Sequence, residues 1–233
     1  MSFFKASKKA EDLKQSGSSH ITSSGMYPVI LLAPMVNVSD NGATSIDMFL
    51  EHDGQKQVMY GNLRITNNDG GTNKIGNKVF NQLIVIADLD DIADPVEHEL
   101  PIGKKEALKS AAVLEDLADV EVIIRVQMEY SAYKGNIQEK KVIKAFFRLE
   151  DKASAEEIVN ESKVGEAYEK EMKYVNHVTY KDDLTEELIQ AWIAAKRPKG
   201  TAGKSSGASS KPKKAPGFGN KKRSFPKADE DDE

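Results

Sequence analysis

Five strand-like runs, the first mainly apolar and the other four alternating between apolar and polar residues, constrain this chain more than any other feature of its sequence. The first three span residues 26–38, 44–51 and 57–66, and turn-forming sequences that end in Asn-Gly and Asp-Gly separate them. A period of two is the pattern of a β-strand with one buried face, and Asn-Gly and Asp-Gly favour tight hairpin turns. We therefore predict three consecutive antiparallel strands.

The period then changes and later returns to two. Residues 78–89 carry apolar side chains at helical spacing, whereas residues 120–130 and 139–150 alternate again. Three strands, a helix and a two-stranded hairpin are the order of elements in the five-stranded Greek-key OB barrel. The predicted fold is therefore mainly β with some helices: an OB-type barrel over residues 26–150, with a helix between strands three and four.

Polar and helical segments flank this barrel. Residues 1–25 are predicted to form a flexible N-terminal arm, and residues 151–195 a helical extension. Ser154 and Glu157 have the spacing of a capping box, which predicts a helix start. Trp192 has apolar neighbours at helical spacing, so we expect it to anchor the last helix rather than to stack on a ligand.

The charges of the C-terminal segment are segregated. The whole chain has a net charge of -4, but residues 196–227 contain eleven basic residues and no acidic one. Residues 196–233 are too rich in Gly, Ser, Pro and Lys to form a core, so we predict a disordered tail. Its basic part is expected to bind polyanions, and its acidic end to compete with them or to dock on a partner protein; the alternative is a solubilising tail. The acidic end consists of Asp229, Glu230, Asp231, Asp232 and Glu233.

The sequence excludes several classes of function and gives little support to others. Because the chain has no cysteine, disulfides, zinc–thiolate sites and a cysteine nucleophile are excluded. Gly71–Lys78 approximates a phosphate-binding loop, but Asn77 separates the second glycine from the lysine, so we interpret it as an ordinary loop. No catalytic triad or metal site is predicted, and we expect a non-enzymatic protein without a cofactor. No apolar run has the length of a membrane helix, so we expect a cytoplasmic protein.

The strand faces that point away from the predicted core combine aromatic and basic residues. In the fifth run, Ile143 and Phe147 are predicted to face the core and Phe146 to face solvent. Aromatic rings stack on bases and cations follow phosphates, so this combination predicts binding of single-stranded DNA without sequence preference. The alternative is an ordinary solvated sheet face, and the net acidity of residues 1–195 opposes binding unless cations concentrate in a groove. The predicted DNA-binding residues are Tyr60, Arg64, Arg125, Gln127, Tyr130, Tyr133, Lys134, Lys144, Phe146 and Arg148.

Several longer segments resemble a phage-encoded family of single-stranded DNA-binding proteins. They read MSFFKASKKAEDLK, YGNLRITNNDGGTN, FNQLIVIADLDDIADP and KVIKAFFRLEDKASAEEIV, and the resemblance covers residues 1–195. It implies an OB barrel that coats single strands during phage replication and recombination in the host cytoplasm. It also implies an acidic tail that recruits replication or recombination proteins. The tail departs from the bacterial pattern because no apolar residue ends it, which puts docking into an apolar partner pocket in doubt.

Two other functions fit the same sequence. One is a scaffold or interaction protein that uses its charged tail to bind a partner. The other is a binder of single-stranded RNA, because discrimination between RNA and DNA depends on contacts to the 2′-hydroxyl that no sequence pattern reveals here.

Overall fold

The computed structural model describes residues 20–196. The chain divides into two compact units, Met1–Trp192 and Ile193–Glu233. In the described part, the strands are β1 (Gly25–Val38), β2 (Thr44–His52), β3 (Gln55–Arg64), β4 (Val96–Leu100), β5 (Lys109–Val113), β6 (Val120–Tyr133), β7 (Asn136–Arg148) and β8 (Val178–Tyr180). The α-helices are α1 (Lys74–Ile86), α2 (Ala155–Val159), α3 (Glu166–Met172) and α4 (Glu186–Lys196).

The mainly β class with some helices is confirmed, but the sheet is larger than predicted. Its pairing path is β3-β2-β1-β5-β4, and β6 pairs with β1, β7 and β8. Only the β6–β8 pairing is parallel among these strands. The described strands number eight rather than five, and the sheet is open because no backbone pairing joins β3 to β7.

Strand β1 holds the two halves of the sheet together. One of its edges pairs with β2. Along the other edge, residues 25–31 pair with β6, and Met35 and Val36 pair with β5. Every other long strand is therefore positioned through β1, directly or through one neighbour.

The predicted strand bounds agree with the structure to within a few residues, but the β4–β5 hairpin was missed. Its two strands, VEHEL and KSAAV, are short, and most of their side chains are either charged or small. Pro95 and Pro101 next to them are typical of a loop, so the sequence gives little indication of strands here.

The principal core lies between the long strands and α1. Its fully buried members include Leu31, Met48, Leu50, Leu63, Leu83, Ile124, Ile143 and Phe146. Gly76 lets α1 approach β3, since a Cβ at this position would lie 1.9 Å from the carbonyl oxygen of Arg64. The predicted loop at Gly71–Lys78 is wrong for its second half, because Asn73 caps α1 by accepting from the Gly76 N–H at 3.0 Å.

A smaller apolar cluster lies on the outer face of the sheet. Ala33, Met35 and Phe49 of β1 and β2 pack there with Val113 of β5 and with residues next to β4. The β4–β5 hairpin is thus folded against the outside of β1 and β2.

The last residues of the predicted N-terminal arm belong to the folded unit. Ile21 is 1% exposed and packs in the principal core. The hydroxyl of Ser24 donates to the carbonyl oxygen of His177 at 2.8 Å and accepts from the N–H of Met128 at 2.9 Å. The prediction of a flexible arm is therefore wrong for residues 20–25, while residues 1–19 lie outside the described part.

The predicted tail also lies outside the described residues, apart from Lys196 at its start. This includes the acidic residues 229–233. None of the helices in residues 20–196 is both long and apolar enough to cross a membrane.

Candidate nucleic-acid interface

A one-residue bulge in β7 places Phe146 in the core. Arg125 pairs with Ala145 and Val126 pairs with Ile143, so Lys144 has no partner on β6. One extra residue reverses the alternation of faces along the rest of the strand. Phe146 is consequently 1% exposed, and its predicted place on the outer face is wrong.

Arg125 and Gln127 do lie on the outer face of β6, but later elements cover them. The Arg125 guanidinium donates to the carbonyl oxygen of Tyr174 at 3.1 Å and forms an ion pair with Glu171 at 2.8 Å between Nε and Oε2. The Gln127 amide donates to the hydroxyl of Thr179 in β8 at 2.5 Å. Both side chains are buried and paired, so the structure does not present them to a DNA strand as predicted.

Tyr130 is also buried. Its ring stacks on Tyr180 with centroids 6.0 Å apart and contacts Trp192 edge-on at 6.2 Å. Burial raises the pKa of Tyr130 to about 12, and the charge of Glu139, which accepts from the phenol at 3.3 Å, adds to the shift. A base cannot reach this ring, so Tyr130 leaves the set of predicted binding residues, whereas Trp192 packs against the sheet as predicted.

Tyr60 is exposed, as predicted. It lies in a bulge of β3 that is wider than the bulge in β7. Between the pairs Ile46–Leu63 and Met48–Met59, β3 has two more residues than β2. The backbone N–H of Gly61 in this bulge donates to Oδ1 of the buried Asp47 at 2.5 Å. Gly61 has a φ of 59°, a conformation that glycine adopts without strain. Because the bulge adds an even number of residues, Met59 and Leu63 stay in the core and Tyr60 remains 60% exposed.

Arg64 and Lys140 meet where β3 and β7 approach each other. The two side chains line one cleft of about 180 Å³ together with residues of the β1–β2 loop and β2. Arg64 is exposed and its guanidinium donates to the side-chain oxygen of Asn68. This pair is the centre of what we call the β3–β7 surface, which consists of Tyr60, Arg64, Tyr133, Lys134, Lys140 and Lys144.

Lys144 lies in the β7 bulge and belongs to a cluster with a surplus of cations. Its ammonium donates to Glu129 at 2.8 Å, and Lys181 donates to the other oxygen of this carboxylate at 2.6 Å. Glu129 is also the cross-strand partner of Lys140. Burial raises the pKa of Glu129, but the hydrogen bonds and charges of Lys144 and Lys181 outweigh it and hold this pKa below its ordinary value.

The electrostatic environment of Lys140 favours an anion. Partial desolvation lowers the pKa of Lys140, and the positive charges of Lys181, Arg64 and Lys144 lower it further, against the opposing charge of Glu129. In this cluster, the charge of Glu129 opposes the mutual repulsion of Lys140, Lys144, Lys181 and Arg64. A phosphate group placed among them relieves this repulsion.

Tyr133 and Lys134 lie at the tip of the β6–β7 hairpin. Tyr133 is 56% exposed, and the Lys134 ammonium is 5.2 Å from the centre of its ring. Tyr133 pairs with Asn136 at the start of β7, four residues before Lys140, which corresponds to about 13 Å along the strand. An exposed ring and a cation thus extend the β3–β7 surface toward the hairpin tip.

Arg148 is accessible but already paired. Its Nε donates to Oδ1 of Asp151 at 2.9 Å and its Nη2 to Oδ2 at 2.6 Å. The Arg148 hydrogen bonds lower the pKa of Asp151 to about 2. This bidentate pair closes the turn after β7, so Arg148 has a structural role that competes with phosphate binding.

The sequence reasoning missed Lys140 and Lys181. Lys140 could have been found by pairing the fourth and fifth runs across their hairpin, which brings it opposite Glu129. Lys181 follows β8, whose parallel pairing with β6 has no signal in the sequence.

The described residues contain no group of three or more His, Asp or Glu side chains that could hold a metal ion. A scan against protein-family models found no match, and a search of curated proteins found none either.

Proposed function

We propose that this chain is a non-enzymatic protein that binds single-stranded DNA without sequence preference through the β3–β7 surface. The observation that carries the proposal is the combination of two exposed rings, Tyr60 and Tyr133, with the cations Arg64, Lys134 and Lys140 on neighbouring strands. Rings stack on any base and cations follow the phosphates, so such a surface binds without reading sequence.

The proposal includes an OB-type arrangement of the five long strands. Their pairing order is β3-β2-β1-β6-β7, and Cα atoms of β3 and β7 come within 8 Å of each other. Helix α1 follows β3 in the chain and packs against both β3 and β7. In OB folds, the face of strands two and three and the loops beside it bind oligonucleotides. Tyr60, Arg64 and the tip at Lys134 occupy the corresponding positions here.

One run of acidic residues lies away from β3 along the pairing path of the sheet. Residues 88–99 contain six of them and lead into β4. In the pairing path of the sheet, β4 is at the opposite end from β3. Along this path, three strands separate the acidic run from β3.

The resemblance to phage-encoded single-stranded DNA-binding proteins supports a role in phage replication and recombination in the host cytoplasm. Within this proposal, the basic residues 196–227 add affinity for DNA. The acidic residues 229–233 dock on replication or recombination proteins once DNA displaces them.

The test is a titration of the full chain with fluorescently labelled oligothymidine at several salt concentrations. The double variant Arg64→Glu with Lys140→Glu should bind more weakly than the wild type. Its slope of log K against log salt should be shallower by about 0.7 for each lost phosphate contact. Lys163→Glu with Lys173→Glu, two charge reversals at exposed positions on either side of α3, is the matched control.

Equal affinities of the double variant and the control at low salt would overturn the proposal. Duplex DNA and single-stranded RNA of equal length serve as competitors. Stronger binding of RNA than of DNA would assign the surface to RNA.

A further inference from the structure

A second cleft opens on the outer face of β2 and β3. It has a volume of about 630 Å³ and lies between these strands and the loop that joins β4 to β5. This volume falls within the range of ligand-binding pockets. The residues that matter for its chemistry are Phe49, Lys56, Val58, Ile102, Lys105 and Glu106.

The cleft combines an apolar floor with a basic rim. Phe49 is buried, and Val58 and Ile102 pack against it in the outer apolar cluster. Lys56 of β3 and Lys105 of the loop are exposed residues of the lining, and Glu106 is its acidic residue. A base and its phosphate present the same pairing of an apolar surface with a negative charge.

The loop that carries Lys105 is held in a strained and tightly bonded conformation. Lys105 and Glu106 have φ angles of 56° and 60°, which side chains other than glycine rarely adopt. The N–H of Gly103 donates to the carbonyl oxygen of Ala107 at 2.8 Å, and the N–H of Glu106 donates to that of Gly103 at 3.1 Å. Strain of this kind persists where the surroundings fix the backbone, and it is concentrated at ligand clamps.

The cleft is continuous with the proposed binding surface through β3. Lys56, Val58 and Tyr60 alternate along the outer face of this strand, and successive outward side chains are about 6.6 Å apart. A strand that stacks on Tyr60 therefore reaches Val58 and Lys56 within the next steps along β3.

We propose that this cleft binds a nucleotide of the same DNA strand, with its base against Val58 and Ile102 above the buried Phe49 and its phosphate near Lys56 and Lys105. The β4–β5 hairpin then acts as a clamp that lengthens the DNA-binding site beyond the β3–β7 surface. This inference rests on the proposed function, since it extends the path of the strand that the surface binds.

The test compares full-length variants on oligothymidines of increasing length. Lys56→Glu with Lys105→Glu should weaken binding of long oligomers and leave binding of the shortest bound oligomer unchanged. The length needed for maximal affinity should fall accordingly, and the salt slope should become shallower by about 0.7 per lost contact. Lys109→Glu with Lys163→Glu is the matched control, because it reverses the same number of charges outside the lining of the cleft.

A photo-crosslinking side chain provides a second measurement that does not depend on charge. Benzoylphenylalanine at position 106 should crosslink to bound oligothymidine, whereas the same group at position 109 should not. Binding without a crosslink at position 106 would overturn the inference.

The outcomes separate this inference from the proposed function. If Arg64→Glu with Lys140→Glu weakens binding while the cleft variant matches its control, the clamp is wrong and the proposed function stands. If only the cleft variant weakens binding, the cleft binds DNA without the β3–β7 surface, and both the proposed function and the clamp that extends it are wrong. If the full chain does not bind oligothymidine at all, both are wrong.

Discussion

Strands β3 and β7 each carry an aromatic residue that the sequence predicts to be exposed, Tyr60 and Phe146. Only the ring of Tyr60 is exposed in the structure. The bulge in β3 adds two residues relative to its partner strand, and the bulge in β7 adds one. An even insertion preserves the alternation of faces, whereas an odd insertion reverses it. Tyr60 therefore faces solvent and Phe146 fills the core. Alternation in a sequence thus predicts which face of the sheet a side chain occupies only as far as the first bulge with an odd number of extra residues.

The largest effect that separates the two strands concerns stability. Phe146→Ala should lower the free energy of unfolding by about 3–5 kcal/mol, because it leaves a cavity among fully buried residues. Tyr60→Ala should change it by no more than about 0.5 kcal/mol, since the ring is exposed. Urea denaturation of the two variants measures the difference. If Phe146→Ala does not fold, Phe146→Leu offers a milder cavity, and equal stability of Phe146→Leu and Tyr60→Ala would contradict the register.

The next effect concerns affinity for DNA, and here the larger loss is expected at Tyr60 of β3 rather than at Phe146 of β7. Tyr60→Ala should weaken binding of single-stranded DNA by about 1–3 kcal/mol, or about 5- to 150-fold, because one stacking contact is lost. Tyr133→Ala should act in the same direction. Tyr174→Ala is a suitable control, since this ring is 61% exposed but lies beyond α3. Anisotropy titrations of the three variants give the comparison, and equal losses in all three would remove the support for stacking at β3.

A smaller gain of affinity is expected on the β7 side. Glu129→Gln should release Lys144 and Lys181 for phosphate contacts, so binding should tighten and the salt slope should steepen by about 0.7 per cation. An unchanged slope would mean that these lysines do not reach the DNA.

The same substitution has a pH signature. Because the pKa of Glu129 is lower in the folded protein than its ordinary value of 4.5, its ionised form stabilises the fold above that value. This contribution is lost as the pH falls through the lowered pKa. The Gln variant should lack it, so the stabilities of the two proteins should converge in acid. Melting temperatures between pH 7 and pH 3 test this, and a constant difference over the range would contradict it.

The smallest effect is expected at the end of β7. Arg148→Ala should leave DNA affinity nearly unchanged and lower stability by less than about 1 kcal/mol, since its pairing with Asp151 is solvent-exposed. A loss of affinity as large as that of Tyr60→Ala would show that the guanidinium exchanges Asp151 for phosphate.

These two strands also explain how much the sequence reveals. The bounds of the five long strands and the exposure of Tyr60 and Arg64 follow from local alternation and turn residues. The covering of Arg125 and Gln127 does not, because Glu171 and Thr179 arrive from elements more than forty residues later in the chain. The position of Lys144 in a bulge is visible only in the pairing register. In a single sequence, a lysine in a bulge and a lysine that faces outward from a regular strand give the same pattern. The β4–β5 hairpin was hidden for a different reason: its strands carry too few apolar residues to alternate visibly.

The pairing of β1 has a consequence for how the chain is made. Residues 25–31 of β1 pair with residues 120–126 of β6, which leave the ribosome about 90–100 residues later. At about 5–20 residues per second, that edge of β1 waits roughly 5–20 s for its partner. During this interval the β1–β2–β3 meander can form but exposes the backbone groups and apolar side chains that β6 will cover. An early-synthesised strand with a late partner is a target for chaperones and for pairing with other nascent chains, so β1 is where failures of folding in the cell are expected to begin.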